Sequence, residues 1–320
     1  MFEPLFIKDA LRLFKKQSEE NPLYRKFIDG LHLDPTSVSR LEDIPFLPIS
    51  FFKTHQVKTG EFHPAHCFES SGTTGAINSM HCISDLQQYL TNTVNLFEEQ
   101  YGDISDYCML GLLPSYLERN NSSLVAMVDH FIQLSKHPSS GFFLDDFKGL
   151  HDTLIHLEAN RQKTLLIGVT FALLDFATAY PMKLHHAIVM ETGGMKGRKK
   201  ELTRSEMHQQ LKFGLGVEAV HAEYGMTELM SQAYSKGEGI YQTSSRLKIM
   251  LRSTDDPFEI WNANEHIMRT GVINVIDLAN LDSVGFIATD DLARFTGNGA
   301  FELMGRLDSS DTRGCSLLTA

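Results

Sequence analysis

The chain has 320 residues, 42% of them apolar and 22% charged, with a formal net charge of −11. That is enough apolar material for a large buried core, and it argues against disorder by composition. The acidic balance, with no basic run longer than Arg198-Lys199-Lys200, speaks against a nucleic-acid binder, which needs a basic face to gain affinity from counterion release.

In chain order, Phe6, Ala10, Leu11 and Phe14 recur at helical spacing, and Asn21-Pro22 ends the run. Tyr24, Phe27, Ile28 and Leu31 predict a second helix. Pro45 and Pro48 forbid a third, so residues 44–52 read as an extended connector. From about 65 to 225 strand and helix signals alternate. Residues 67–69 are a short strand candidate. Ser84 reads as a helix N-cap with Gln87 at the capping-box position, and Leu86, Leu90, Val94 and Phe97 form the stripe behind it. Apolar runs at 108–113, 141–144, 165–170 and 187–190 have strand length, with helical stretches between them. This rhythm predicts a largely parallel sheet with helices on its faces. After about 240 the helices stop. Residues 247–252, 272–277 and 285–289 read as strands, and 295–299 as a hairpin turn. Two regions are therefore expected within one unit: an α/β part over 1–240 and a β-rich part with a tail over 241–320.

Of the four cysteines, Cys67, Cys82, Cys108 and Cys315, none forms a CxxC pair or sits at zinc-site spacing. The N-terminus lacks a secretory pattern, and no apolar stretch reaches the roughly 18 residues of a spanning helix. The expectation is a cytoplasmic protein in a reducing compartment, without a membrane span.

Ser70-Ser71-Gly72-Thr73-Thr74-Gly75 is the most informative segment. Glycines permit positive φ and expose successive N–H groups, and hydroxyls add donors, so such a loop between a strand and a helix suits phosphate. It has neither the Walker lysine nor the dinucleotide glycine spacing. Taken alone, it reads equally as a surface loop of small residues. Three further marks follow in order: Tyr224-Gly225-Met226-Thr227-Glu228, then Thr289-Asp290-Asp291-Leu292-Ala293, then Gly305-Arg306 with Asp308.

These four marks in this order resemble the adenylate-forming enzyme superfamily. Within it, Glu191 to Arg198, the 224–229 block, Arg313-Gly314-Cys315-Ser316 and the early Leu47 to Lys53 resemble the acyl-protein synthetase (LuxE) family, over nearly the whole chain from about residue 40. The resemblance implies the α/β large-domain fold of adenylate-forming enzymes, mixed or parallel sheets flanked by helices, with a β-rich C-terminal subdomain. Most relatives continue past the Gly-Arg-x-Asp hinge with a mobile small domain carrying a lysine. Here the sequence stops twelve residues after Asp308, so that domain is not expected.

The resemblance also implies roles. Ser70, Ser71, Gly72, Thr73, Thr74 and Gly75 would hold the β- and γ-phosphates of ATP. The lysine that many relatives carry just after this loop is missing from residues 76–80, which leaves Mg²⁺, backbone N–H groups, Arg306 or Lys196 to meet the charge. Tyr224, with Gly225 behind it, would stack on adenine, and Gly193 and Gly194 would let the backbone approach adenine or the acyl group. Thr227 would donate to the α-phosphate and Glu228 would ligate Mg²⁺. Asp291 would accept from the ribose hydroxyls, its spacing from Thr289 selecting it over Asp290. Arg306 would contact ribose or phosphate through its forked donors. Cys315 near the C-terminus would accept the acyl group as a thioester, Arg313 favouring its thiolate.

Each residue has a plainer alternative: Tyr224 as a core tyrosine, Glu228 as a helix-start carboxylate, Arg306 as a surface cation and Cys315 as an inert tail thiol. His185, His186 and His221 are read as structural, and the pairs Asp145-Asp146 and Asp255-Asp256 as turn or cap carboxylates. The function implied is ATP-dependent activation of a carboxylic acid, a fatty acid above all, followed by transfer to a protein thiol. An acyl-reductase or acyl-transferase protein is the partner the family implies. Two alternatives stay open: delivery of the acyl group to CoA, a carrier protein or an amine, and a nucleotide-binding subunit without turnover.

Overall fold

The computed structural model describes residues 3–70, 77–114, 121–193, 202–263 and 268–307. The chain opens with α1 (Glu3–Glu20) and α2 (Pro22–Gly30). The break at Asn21 is a cap: its Oδ1 accepts from the amides of Leu23 at 3.1 Å and Tyr24 at 3.0 Å. Pro22 follows in the first turn, where a missing N–H costs nothing. The expected connector contains β1 (Leu47–Pro48) but then coils into α3 (Phe51–Thr54), because the restriction imposed by Pro48 reaches only the residue before it.

Next come β2 (His66–Glu69) and β3 (Met80–Ile83), an antiparallel hairpin separate from the main sheet. The strand expected at 67–69 is therefore not a member of the parallel sheet. It pairs with the next strand in the chain, and residues 70–79 between them are too few for the crossover that a parallel pair requires. Cys67 and Cys82 face each other in register across this hairpin and are joined as a disulfide. Disulfides are rare in reducing compartments, so the cysteines do not carry the reducing reading. Helix α4 (Leu86–Tyr101) starts from Asp85, not from the expected Ser84 cap. Asp85 accepts from the Gln87 amide at 2.8 Å, while Asp282 takes the Ser84 hydroxyl at 2.7 Å.

The βαβ rhythm then runs as predicted: β4 (Cys108–Leu112), α5 (Ser123–Ser135), β5 (Gly141–Phe142), α6 (Phe147–Ala159), β6 (Thr164–Val169), α7 (Thr170–Ala179), β7 (Ala187–Thr192), α8 (Arg204–Leu215) and β8 (His221–Tyr224). All neighbouring pairs in the order β5-β4-β6-β7-β8 are parallel. Every residue of β4 and β6 is buried, as expected for strands covered by helices on both faces.

The sheet continues antiparallel through β9 (Ala233–Ser235), β10 (Ile240–Gln242), β11 (Leu247–Arg252), β12 (Ile260–Trp261), β13 (Thr270–Asp277), β14 (Phe286–Gly297) and β15 (Ala300–Arg306). Asn298 and Gly299 turn β14 into β15 with φ of 52° and 77°, the two positive angles that a two-residue hairpin of this hand needs. Both halves thus share one mixed sheet, with β1 paired to β14 at its flank.

The interior falls into two clusters. One lies around the parallel strands and includes Phe97, Leu110, Leu166, Phe176 and Val189. The other joins residues 10–57 to strands of the antiparallel half. In it Phe14 meets Phe286 edge-on at 6.0 Å and Tyr24 stacks on Phe286 at 6.3 Å, contacts worth about 0.5–1.5 kcal/mol each beyond their burial. Among the described residues no helix is long and apolar enough to cross a membrane.

Candidate functional site

The parallel strands end together. Beyond β6 comes Thr170, beyond β7 Gly193, and at the end of β8 Tyr224 and Gly225, so these carboxyl ends form the rim where open α/β sheets bind ligands. Gly193 takes a positive φ of 71°, and its carbonyl accepts from the Thr170 hydroxyl at 2.7 Å. Thr192 donates to the carboxyl of Glu223 at 2.5 Å. Glu223 is buried, and burial pushes its carboxyl up to about 7, with the charge of Glu191 adding to the rise. Gly225 packs tightly beside it: a Cβ there would stand 2.3 Å from Glu223 Oε1, so the carboxyl would have to move.

Tyr224 is buried, its ring edge-on to Phe301 at 5.8 Å and to Tyr241 at 6.1 Å. Its hydroxyl donates to Asp291 Oδ2 at 2.9 Å. Arg306 reaches Asp291 Oδ1 through Nε at 3.1 Å from the neighbouring strand β15. Burial raises the Asp291 carboxyl above its ordinary range, opposed by Arg306 and the Tyr224 hydrogen bond. Asp291, rather than Asp290, therefore joins Tyr224 and Arg306.

Glu228 follows β8 in a turn and is only 5% exposed. Burial raises its carboxyl above the usual range; a hydrogen bond from the Ser79 side chain and the charges of Arg306 and Lys53 act against that rise. Ser79 also clasps Ser70: the Ser79 amide donates to Ser70 Oγ at 2.9 Å, and the Ser70 amide donates to the Ser79 carbonyl at 3.0 Å. The hairpin of β2 and β3 thus brings Ser79, clasped to Ser70 at the start of the glycine–hydroxyl segment, against the Glu228 carboxylate. Ser71, Gly72, Thr73, Thr74, Gly75, Gly194, Lys196 and Cys315 lie outside the described residues.

Sequence reasoning missed the framework that holds the Thr227-Glu228 turn. His81 is fully buried on β3, with Nδ1 2.9 Å from the Thr227 carbonyl. A carbonyl only accepts, so Nδ1 carries the proton. Nε2 faces Ser283 Oγ at 3.1 Å and Asn280 Oδ1 at 3.2 Å. Burial holds this imidazole below its ordinary range and therefore neutral near pH 7. Asn280 Nδ2 donates to the Glu228 carbonyl at 2.9 Å. The Asp277 carboxylate accepts from the amides of Met230 at 2.8 Å and Ser231 at 3.1 Å, and from the Ser231 hydroxyl at 2.7 Å. These partners are 46 to 202 positions apart in sequence, so no local pattern announces them. Lys53, on α3, also acts on Glu228 through its charge.

The amides of His185 and His186 donate to Glu158, and His221 bonds the Tyr101 hydroxyl. Asp146 caps α6, and Asp256 closes a turn on the Phe258 amide. Among the described residues no group of three His, Cys, Asp or Glu could hold a metal unaided. A single carboxylate such as Glu228 would still fit Mg²⁺ if phosphates were bound beside it, since this ion keeps waters and phosphate oxygens as its other ligands.

No curated protein sequence matches the chain significantly. Among solved structures, a 2-hydroxyisobutyryl-CoA ligase complexed with 2-HIB-AMP and CoA superposes with a TM-score of 0.62 at 12% identity, covering 96% of this chain and 75% of its own. ATP-bound MatB from Rhodopseudomonas palustris gives 0.54 at 16% identity, covering 76% of this chain. A long-chain-fatty-acid-CoA ligase, FadD1, from Archaeoglobus fulgidus gives 0.52 at 12% identity, covering 76% of this chain and 52% of its own. The matched part spans 48% of the MatB length. At these identities the likeness establishes the fold, a mixed α/β sheet flanked by helices as in these ligases. The family model described as acyl-protein synthetase, LuxE, matches residues 2–320, and the chain belongs to that family.

Proposed function

We propose that the protein uses ATP to convert a carboxylic acid, a fatty acid in the first instance, into an acyl-adenylate, and passes the acyl group to the thiol of Cys315. The observation that carries this reading is the clasp of Ser70 and Ser79 against Glu228, opposite the Tyr224–Asp291–Arg306 group. In this reading the loop that begins at Ser70, the Glu228 carboxylate and Tyr224 with its acidic partner Asp291 share the binding of one nucleotide.

In this reading the substrate carboxylate attacks the α-phosphorus in line, the bond to the bridging oxygen breaks, and pyrophosphate leaves. Thr227 donates to the α-phosphate, and the loop of residues 70–75 gathers the leaving phosphates by N–H and O–H donors. Donors fixed before reaction stabilise developing charge without reorganising. Arg306 and Lys53 supply cationic charge in place of the lysine absent after the loop. Glu228 would hold Mg²⁺, which when bound neutralises phosphate charge. Asp291 accepts from the ribose hydroxyls once ATP competes for its bond to Tyr224. The Cys315 thiolate then attacks the acyl carbonyl, AMP leaves, and a thioester forms.

Incubation with ATP, Mg²⁺ and mixed fatty acids, followed by intact-protein mass spectrometry, tests this. The expected result is one acyl adduct, released by neutral hydroxylamine and lost in Cys315→Ala. Pyrophosphate release with no adduct on the protein would assign the acyl group to CoA, a carrier protein or an amine. Binding of ATP with no pyrophosphate release would leave a nucleotide-binding subunit.

A further inference from the structure

On the face of β14 away from Asp291, a chamber of about 590 Å³ opens between α2, the 42–48 segment and the strands β11 to β14. Its walls include Phe27, Leu31, Ile44, Phe46, Phe258 and Ile260. Volume and lining are those of a small-molecule site, in which apolar walls surround a few placed polar groups.

Those polar groups define the occupant. Asn274 lines the chamber at 1% exposure, and its Oδ1 accepts from Arg252 Nη1 at 2.6 Å. Its Nδ2 has no hydrogen-bond partner among the described residues. A buried donor left without an acceptor is costly and rare, so this amide calls for an oxygen in the chamber. Arg252 is committed to the carbonyls of Ile273 at 3.0 Å and Thr289 at 2.6 Å. Its charge is met by Asp290, and the rim adds Glu42 and Asp43. Asp43 is paired with Arg40 at 2.7 Å, which leaves Asp290 and Glu42 against an Arg252 already engaged, and that balance disfavours an anion.

We propose that this chamber binds a neutral apolar molecule bearing a carbonyl or amide oxygen, which accepts from Asn274 Nδ2. It is not a second seat for the carboxylate substrate, and it backs onto the strand that carries Asp291. Because Arg252 bonds the Thr289 carbonyl, occupancy bears on the same strand one residue from Asp290.

A medium-chain alkyl diazirine primary amide, compared with the matching carboxylate, tests this in the full chain. After irradiation, peptide mass spectrometry maps the labelled residues over a concentration series. The amide is expected to label residues 27–33 and 257–260 saturably, with the carboxylate at least tenfold weaker there. Asn274→Leu is expected to weaken labelling about tenfold, the factor one neutral hydrogen bond is worth. Phe258→Ala, at a side chain 68% exposed, lowers it without threatening the fold. Absence of saturable labelling at these segments in the unaltered protein, or equal labelling by amide and carboxylate, overturns the proposal.

Discussion

Replacing His81 by phenylalanine tests whether the buried framework beneath Thr227 and Glu228 serves the reaction or only the fold. Phenylalanine fills nearly the same volume and keeps the edge contact with Phe52, whose ring centroid lies 5.8 Å away. It removes the donor to the Thr227 carbonyl, leaving a buried acceptor unpaired at about 1–3 kcal/mol. Ser283 keeps Asn280 Oδ1 at 2.6 Å, so loss there is small and the whole stability cost is about 2–4 kcal/mol in urea denaturation. The functional cost is larger in proportion. Freed of its anchor, the turn shifts Thr227 and Glu228 against the phosphates, and a misplacement on the order of 1 Å costs about a hundredfold. Acid-dependent exchange of labelled pyrophosphate into ATP is expected to fall by that factor. A control of similar stability cost, Leu154→Ala in the core of α6, is expected to lose about 2–5 kcal/mol while keeping exchange per folded molecule. If His81→Phe also keeps its exchange rate at the folded concentration, the positioning argument fails.

Other substitutions probe neighbouring features. Gly225→Ala drives a methyl into the Glu223 carboxyl and is expected to cost about 1–3 kcal/mol and most of the exchange activity, checked by denaturation and exchange together. Glu223 binds its proton more tightly folded than unfolded, so its contribution to stability is full below pH 4.5 and is lost as pH rises through about 7. The fall is at most about 3 kcal/mol, and Glu223→Gln is expected to flatten stability between pH 5 and 8 in urea titrations. Reduction of the Cys67–Cys82 bond, which spans 15 positions, is expected to cost up to about 3 kcal/mol and to weaken ATP binding by loosening the hairpin under the loop; calorimetry with and without a phosphine reductant reads both.

Much of this architecture was legible because its signals are local. The Asn21 cap, the βαβ rhythm from 108 to 224 and the Asn298-Gly299 turn each rest on neighbouring residues and fixed spacings. The four motif segments were legible for the same reason, and the fold brings the described parts of them together. What escaped depends on which distant chains meet. His81 sits in a strand that looks like plain alternation, and only the fold shows that Thr227 lies over it. The β2–β3 pairing, the disulfide, the approach of Lys53 and the transfer of the cap from Ser84 to Asp85 all follow from tertiary partners, Asp282 among them. The packing of residues 10–57 on the antiparallel half is of the same kind.

The central claim, that a hydroxyl loop and Glu228 grip a triphosphate for attack by a carboxylate, is tested most directly by pyrophosphate–ATP exchange across a panel of acids. The account predicts exchange that requires both an acid and Mg²⁺ and that Glu228→Gln reduces at least a hundredfold while the variant stays folded. Thermal stabilisation by ATP with no exchange for any acid, or full exchange in Glu228→Gln, would contradict it.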